Sequence, residues 1–204
     1  MSFEENAMEN KLRPPAAPIK RCSWAESADQ LMQAYHDYEW GTPCHNDQHL
    51  FELLSLEIMQ AGLSWQTILN KRAAFRQALA NFDFYQVQAM APKLPQLLAN
   101  PKIVRNQAKL TAIINNAKIA AQINKSGETF NNYLWQMIDY QPIIHHYQTA
   151  AEVPATDQTA IKISQTLKKA GFKFTGPVVV YSFMQAAGLV NDHQADCFLA
   201  IKKA

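Results

Sequence analysis

The chain has 204 residues, 48% of them hydrophobic, with 6 glycines and a formal net charge of +2 at neutral pH. That length fits one domain with a real core, and that composition excludes a disordered chain and a disulfide-knotted secreted module. The small positive charge permits a nucleic-acid partner without requiring one.

Residues 1–20 read MSFEENAMENKLRPPAAPIK, polar and then proline-rich. This predicts a flexible tail and lacks the apolar run of an export signal. No stretch approaches the roughly 18 uninterrupted apolar residues of a membrane span, so a cytoplasmic protein with no membrane partner is expected. In that compartment Cys22, Cys44 and Cys197 are expected to stay free of disulfides.

Beyond the tail, helical periodicity has no competitor from alternating β-branched runs, which predicts an all-α fold in a single domain over 21–204. Asp47 is placed to cap a helix reaching about residue 62, a second helix covers 64–80, and Asp83 caps a short third. A short helix over 96–99 is broken by Asn100-Pro101-Lys102, and an apolar pattern resumes over 104–123. Two helices joined by a tight connection, near 96–123, outline a helix-hairpin-helix unit. Further helices are expected around 133–138, over 159–170, and from Gly176-Pro177 to Gly188, proline being well tolerated at a first helical position.

Glu57 breaks the local pattern. On a helix it shares a face with Leu50, Leu53, Leu54 and Ala61, which sets a carboxylate in an apolar stripe, whereas Glu52 projects the other way and is expected in solvent. Such an acid is either neutralised by an arginine or a helix cap, or it belongs to a site. Four large aromatics, Trp24, Tyr35, Trp40 and Trp65, fall in the same region; they serve as core or as stacking surfaces for a nucleobase.

His193 and Cys197 stand four apart, which on a helix aims both side chains from one face, and Cys22 and His36 could complete a closed, structural tetrahedral site. Cys44, His45 and His49 form a competing set, and His145 and His146 read as solvated loop residues. Hairpin residues 100–105, with Arg105 and Lys109 behind them, either offer amides and charge to a phosphate or simply connect two helices. The stretch from Gly171 to Gly176 is either a turn with two core phenylalanines or an anion site at a helix start.

Several blocks carry a more specific signal: Arg21-Cys22-Ser23-Trp24, Ala34-Tyr35-His36-Asp37-Tyr38-Glu39-Trp40-Gly41, Leu56-Glu57-Ile58-Met59-Gln60-Ala61-Gly62-Leu63-Ser64-Trp65, Gly171 to Gly176, and Tyr181 through His193. In this order they resemble the 3-methyladenine DNA glycosylase I family over almost all of the chain. The resemblance implies a helix-hairpin-helix DNA glycosylase fold and one structural zinc, held by Cys22, His36, His193 and Cys197, that clasps segment 22–36 to 193–197. It further implies a base pocket of Tyr35, Trp65, Trp24 and Trp40 around a catalytic Glu57. On the phosphate reading of the two loops, Lys102, Arg105 and Lys173 are the candidate DNA-backbone contacts. Two positions depart from the family: Met32 stands where members often have tyrosine, and the hairpin lacks the glycine common at its tip.

The implied activity is monofunctional base-excision repair on alkylated double-stranded DNA, by a monomer that releases free 3-methyladenine and leaves an abasic site. A non-catalytic, zinc-stabilised lesion-sensing module of the same fold is the alternative. No aspartate occurs between Arg105 and Ile138, so an aspartate-centred mechanism is disfavoured. An ionised Glu57 reading a cationic base is expected in its place.

Overall fold

The computed structural model describes residues 19–201; apart from its last two residues, the predicted tail lies outside them. The chain runs through α1 (Ser23–Glu26), α2 (Gln30–Tyr38), α3 (Asp47–Gln60), α4 (Trp65–Ala78), α5 (Phe84–Val87), α6 (Leu94–Ala99), α7 (Gln107–Lys125) and α8 (Phe130–Trp135). It then forms β1 (Ile143–Ile144), α9 (Gln158–Lys169), α10 (Pro177–Ala186) and β2 (Val190–Asn191). The two strands are the departure from an all-helical reading: Ile143 pairs with Val190 and Ile144 with Asn191, in parallel. Two residues are too few to leave an alternation in sequence.

Short polar side chains start most helices, as their geometry demands. Asp29, Ser64, Asp83, Asn106, Thr129 and Asp157 each accept a backbone N–H at the head of the helix they precede. The cap of α3 is Asn46 rather than Asp47. The Asp47 carboxylate instead accepts from the Asn131 amide and Asn124 Nδ2, which ties α3 to α7 and α8.

Helix α3 is the centre of the molecule. Residues 50–59 are buried on every face, and the helix packs against α4, α7, α8 and α10. A helix wrapped on all sides must satisfy its polar residues internally, and this overturns the solvated reading of Glu52. That residue is 5% exposed and accepts from Arg72 Nε at 2.7 Å and from Arg76 Nε at 2.8 Å. Arg72 also grips Glu39 with Nη1 at 2.8 Å from both carboxylate oxygens, so one network joins the C-terminal end of α2 to α3 and α4.

After α10, Gly188 turns at φ +68, and a Cβ there would collide with the backbone of Thr42 and Pro43. That close approach lets the Gly41 amide donate to the Gln185 carbonyl and the Cys44 amide to the Ala187 carbonyl. The two ends of the described chain are thereby brought side by side. No described helix is long and apolar enough to cross a membrane.

Candidate functional site

Four donor side chains from the two ends of the chain meet at this junction. The Cys22 and Cys197 sulfurs and one nitrogen each of His36 and His193 lie within 4.8 Å of one another, all buried, and could hold a metal ion. His193 and Cys197 converge through a turn rather than along a helix: the Cys197 amide donates to the Gln194 carbonyl, and Cys197 Sγ lies 3.5 Å from His193 Nδ1. Turn and helix both bring residues four apart together, so the spacing alone could not distinguish them.

The second atom of each imidazole is fixed from outside. His36 Nδ1 lies 2.8 Å from Asp37 Oδ1, and Asp37 is itself held by Arg21 at 2.7–3.1 Å. His193 Nε2 lies 3.1 Å from the Trp40 carbonyl. Backbone amides of Gln194 and Leu199 donate to the Cys22 and Cys197 sulfurs. Cys197 is held far below an ordinary thiol by its hydrogen bond with Cys22 and then by those with His193 and His36, against burial; Cys22 is pushed up correspondingly. Oriented imidazoles and amide-supported sulfurs are what a soft-donor metal centre needs.

The competing set is not assembled. Among the described residues only the first four form a cluster of this kind that includes cysteine. His45 lies against Trp135 with ring centroids 4.4 Å apart, and its Nδ1 is 3.0 Å from Asn131 Oδ1. His49 is 3.5 Å from Glu39 and is pushed up to about 9 by hydrogen bonds to Cys44 and Glu39. Nor is His145 merely solvated. Its Nδ1 lies 2.6 Å from Asp192 Oδ1, and the buried Asp192 also accepts from Tyr181 OH and Gln185 Nε2.

Directly against this Cys/His cluster lies a cavity of about 420 Å³. Its wall includes Trp24, Tyr35, Trp40 and Trp65, with Trp24 and Trp40 edge to face at 5.2 Å and Tyr35 and Trp65 tilted at 5.1 Å. Trp24 packs edge-on against His36 at 5.2 Å, and Trp40 against His193 at 4.7 Å. Two of the rings that line the cavity, Trp24 and Trp40, therefore rest on the imidazoles of the cluster. Gly41, at φ +73, permits the approach, since a Cβ there would come within 2.9 Å of His193 Nε2.

Glu57 also lines this cavity. It is 5% exposed, its Oε2 has no hydrogen-bond partner, and burial alone pushes its carboxyl up to about 8. Burial therefore favours the protonated carboxyl as long as no positive charge faces it. Trp65 Nε1 is likewise buried without a partner. An unused donor and an unused acidic group among flat rings suit a planar heteroaromatic ligand, and one carrying positive charge would draw the proton from Glu57.

Sequence reasoning missed other lining residues, including Gln60, Ser182 and Gln185. Gln60 lies one turn beyond Glu57, so helical spacing could have found it; Ser182 and Gln185 are placed by the crossing of α10 over α3, which leaves no local mark. Met32, the departure noted above, is part of the wall.

The basic candidates separate. Lys102 and Arg105 are exposed in the connection between α6 and α7, and Lys173 is exposed in the loop before α10. Lys109 is not available to a phosphate. Its Nζ donates to the Met59 and Ala61 carbonyls at 3.0 and 2.5 Å, closing the C-terminal end of α3. Phe172 is buried as expected, but Phe174 is 44% exposed at φ +58 rather than in the core.

Comparison with known proteins places this geometry. The profile of the family described as "Methyladenine glycosylase" matches residues 24–200. The DNA-3-methyladenine glycosylase 1 of Escherichia coli (strain K12) is 42% identical over 180 residues, covering 88% of this chain and 96% of that protein. The DNA-3-methyladenine glycosylase of Haemophilus influenzae is 39% identical over 178 residues, covering 87% and 96%. A crystal structure of a 3-methyladenine DNA glycosylase I variant in complex with 3-methyladenine superposes with a TM-score of 0.85 at 37% identity, covering 90% of this chain and 99% of that one.

Proposed function

This chain belongs to the methyladenine glycosylase family, and from that premise we propose that it receives 3-methyladenine extruded from alkylated double-stranded DNA and hydrolyses its N-glycosidic bond. The observation that carries the reading is the unpartnered, buried Glu57 among the rings of the cavity. Water attacks C1′, the bond from C1′ to N9 breaks, and its electron pair neutralises the cationic base. A proton passes from the water to solvent, and an abasic site remains. Because the leaving base is already cationic, it departs neutral without being protonated.

Stacking against Tyr35, Trp65, Trp24 and Trp40 holds the flipped base, and Glu57 accepts hydrogen bonds from its polar edge. Burial favours the protonated form of Glu57; a cationic purine displaces that proton and gains a desolvated ion pair. A neutral purine would have to meet either a protonated acid or an uncompensated buried charge, and discrimination follows from that difference. No lysine amine enters the scheme, which makes the activity monofunctional.

Two thiolates and two imidazoles suit one zinc per chain, held by Cys22, His36, His193 and Cys197; with four protein ligands the ion would supply cross-linking rather than chemistry. The hairpin between α6 and α7 is assigned as a helix-hairpin-helix, with Lys102, Arg105 and Lys173 on the DNA backbone, within one domain from residue 21 that acts as a cytoplasmic monomer.

The test is release of free 3-methyladenine from methylated duplex DNA by the wild type and by Glu57→Gln. Release by the wild type and its loss in the variant, with folding and metal content unchanged, supports the assignment. Equal rates remove Glu57 from the chemistry, and a wild type that binds but never releases base makes the protein a lesion-sensing module.

A further inference from the structure

Away from the aromatic cavity, the loop joining α9 to α10 is held with unusual firmness for a surface turn. Asn116, 1% exposed on α7, pairs with both backbone groups of Lys173: the Lys173 amide donates to Asn116 Oδ1 at 2.8 Å, and Asn116 Nδ2 donates to the Lys173 carbonyl at 2.9 Å. Asn115 Nδ2 donates to the Gly171 carbonyl at 3.1 Å, and Ser164 Oγ on α9 donates to the Thr175 carbonyl at 2.6 Å. Side chains of two helices thus fix the backbone of residues 171–175.

The residue so displayed is Phe174. Its φ of +58 is a left-handed conformation that an aromatic residue adopts at a cost, and its side chain is 44% exposed. A strained backbone that lifts a phenyl ring toward water does not serve the core. Beside the ring lies an open groove of about 410 Å³ whose wall is Phe174, Lys173 and the outer face of α7: Ala108, Thr111, Ala112 and Asn115. Its lining is small, mostly apolar, free of carboxylates, and carries one cation. Helix α7 follows directly from the connection that exposes Lys102 and Arg105. An occupant with apolar faces and regularly spaced negative charge fits this setting; a sugar-phosphate strand has both.

We propose that Phe174 extends the backbone contact assigned to Lys173 into a second DNA-contact site, separate from the base cavity, in which a deoxyribose of the duplex packs on Phe174 in the α7 groove beside the phosphate paired with Lys173. The site rests on the DNA reading above. It gives the enzyme a fixed apolar contact to backbone, independent of which base has been extruded. Asn116 is its positioning residue, acting through the loop backbone.

The experiment measures affinity for a duplex containing a stable abasic-site analogue, by fluorescence anisotropy across a salt series, and separately the quenching of intrinsic tryptophan fluorescence by free 3-methyladenine. Phe174→Ala is expected to weaken duplex binding about tenfold, within the range for loss of one aromatic contact to nucleic acid. Lys173→Ala should lower the slope of log affinity against log salt by about one. Phe174→Gly is the decisive variant. Glycine accepts the left-handed conformation, so this protein should melt at the wild-type temperature or higher while binding duplex as weakly as Phe174→Ala.

In each of these variants quenching by 3-methyladenine should be unchanged. Wild-type duplex affinity in Phe174→Gly overturns the site while leaving the glycosylase reading intact. So does a wild-type dimer that Phe174→Ala dissociates in sedimentation, because a second copy would then be the occupant of the groove. A wild type that is neither quenched by 3-methyladenine nor able to release it from DNA overturns the glycosylase reading instead.

Discussion

Glu52 and Glu57 lie on one helix, both 5% exposed, and they have opposite fates. Glu52 meets two arginines, one of which also binds Glu39; its charge is compensated within the fold. Glu57 meets rings and the cavity, and its buried Oε2 has no hydrogen-bond partner. Burial by itself therefore does not mark a functional acid. The mark is burial without a partner, because folding leaves that cost unrecovered until a ligand brings the missing charge.

The comparison breaks first at Arg72. Arg72→Met leaves half-buried Glu39 without its arginine and buried Glu52 with the exposed Arg76 alone, and removing one partner of a buried pair costs about 3–5 kcal/mol; urea unfolding should show a loss of that size. A variant of wild-type stability would mean that Glu52 is compensated elsewhere.

Glu57→Gln tests the other side. Release of 3-methyladenine should fall about a hundredfold or more, the scale for deleting one charge-stabilising group from a desolvated site, and should be followed in single-turnover assays. The same variant should be more stable than wild type at pH 9, where the native protein buries an uncompensated carboxylate. A glutamine variant that is both active and destabilised would place Glu57 with Glu52 as a structural acid.

Glu57 is raised from the ordinary carboxylate value of 4.5 to about 8, so between those values the folded state binds more protons than the unfolded state. Its contribution to stability is fully present below about 4.5, declines as pH rises, and is exhausted above about 8. Thermal melts from pH 5 to 9 should show that decline, and Glu57→Gln should flatten it. Base release should move oppositely, rising with pH up to about 8 as the competing proton is lost. A release profile that falls over the same interval would contradict displacement of that proton by the cationic base.

The smallest effect belongs to Arg76. Its side chain is 45% exposed, so solvent screens its pairing with Glu52, and Arg76→Ala should cost less than about 1 kcal/mol. A loss as large as that of Arg72→Met would show that Glu52 depends equally on both arginines.

Much of this was legible along the chain. Helix caps, the glycine and proline boundaries and the apolar runs are local signals, and they placed most helices to within a few residues. Glu57 was legible because helical spacing set it among leucines. Glu52 was misread by the same rule, since a stripe argument assumes one buried face and α3 is buried on all of them. Lys109 was open between a phosphate contact and a plain helix connection until the fold brought it to the end of α3, and the turn that would have made Phe174 core was one of two readings until the Asn116 clamp fixed its backbone.

The sequence by itself determined the helical class, the family blocks, and which residue types could bind a metal or stack on a base, because these depend on spacing and chemistry within short windows. Only the tertiary structure decided that Cys22 and His36 meet His193 and Cys197, that Trp24 and Trp40 rest on those imidazoles, and that Glu57 Oε2 has no partner. Each of these depends on contacts between segments remote in sequence, and no local pattern carries the distance between them.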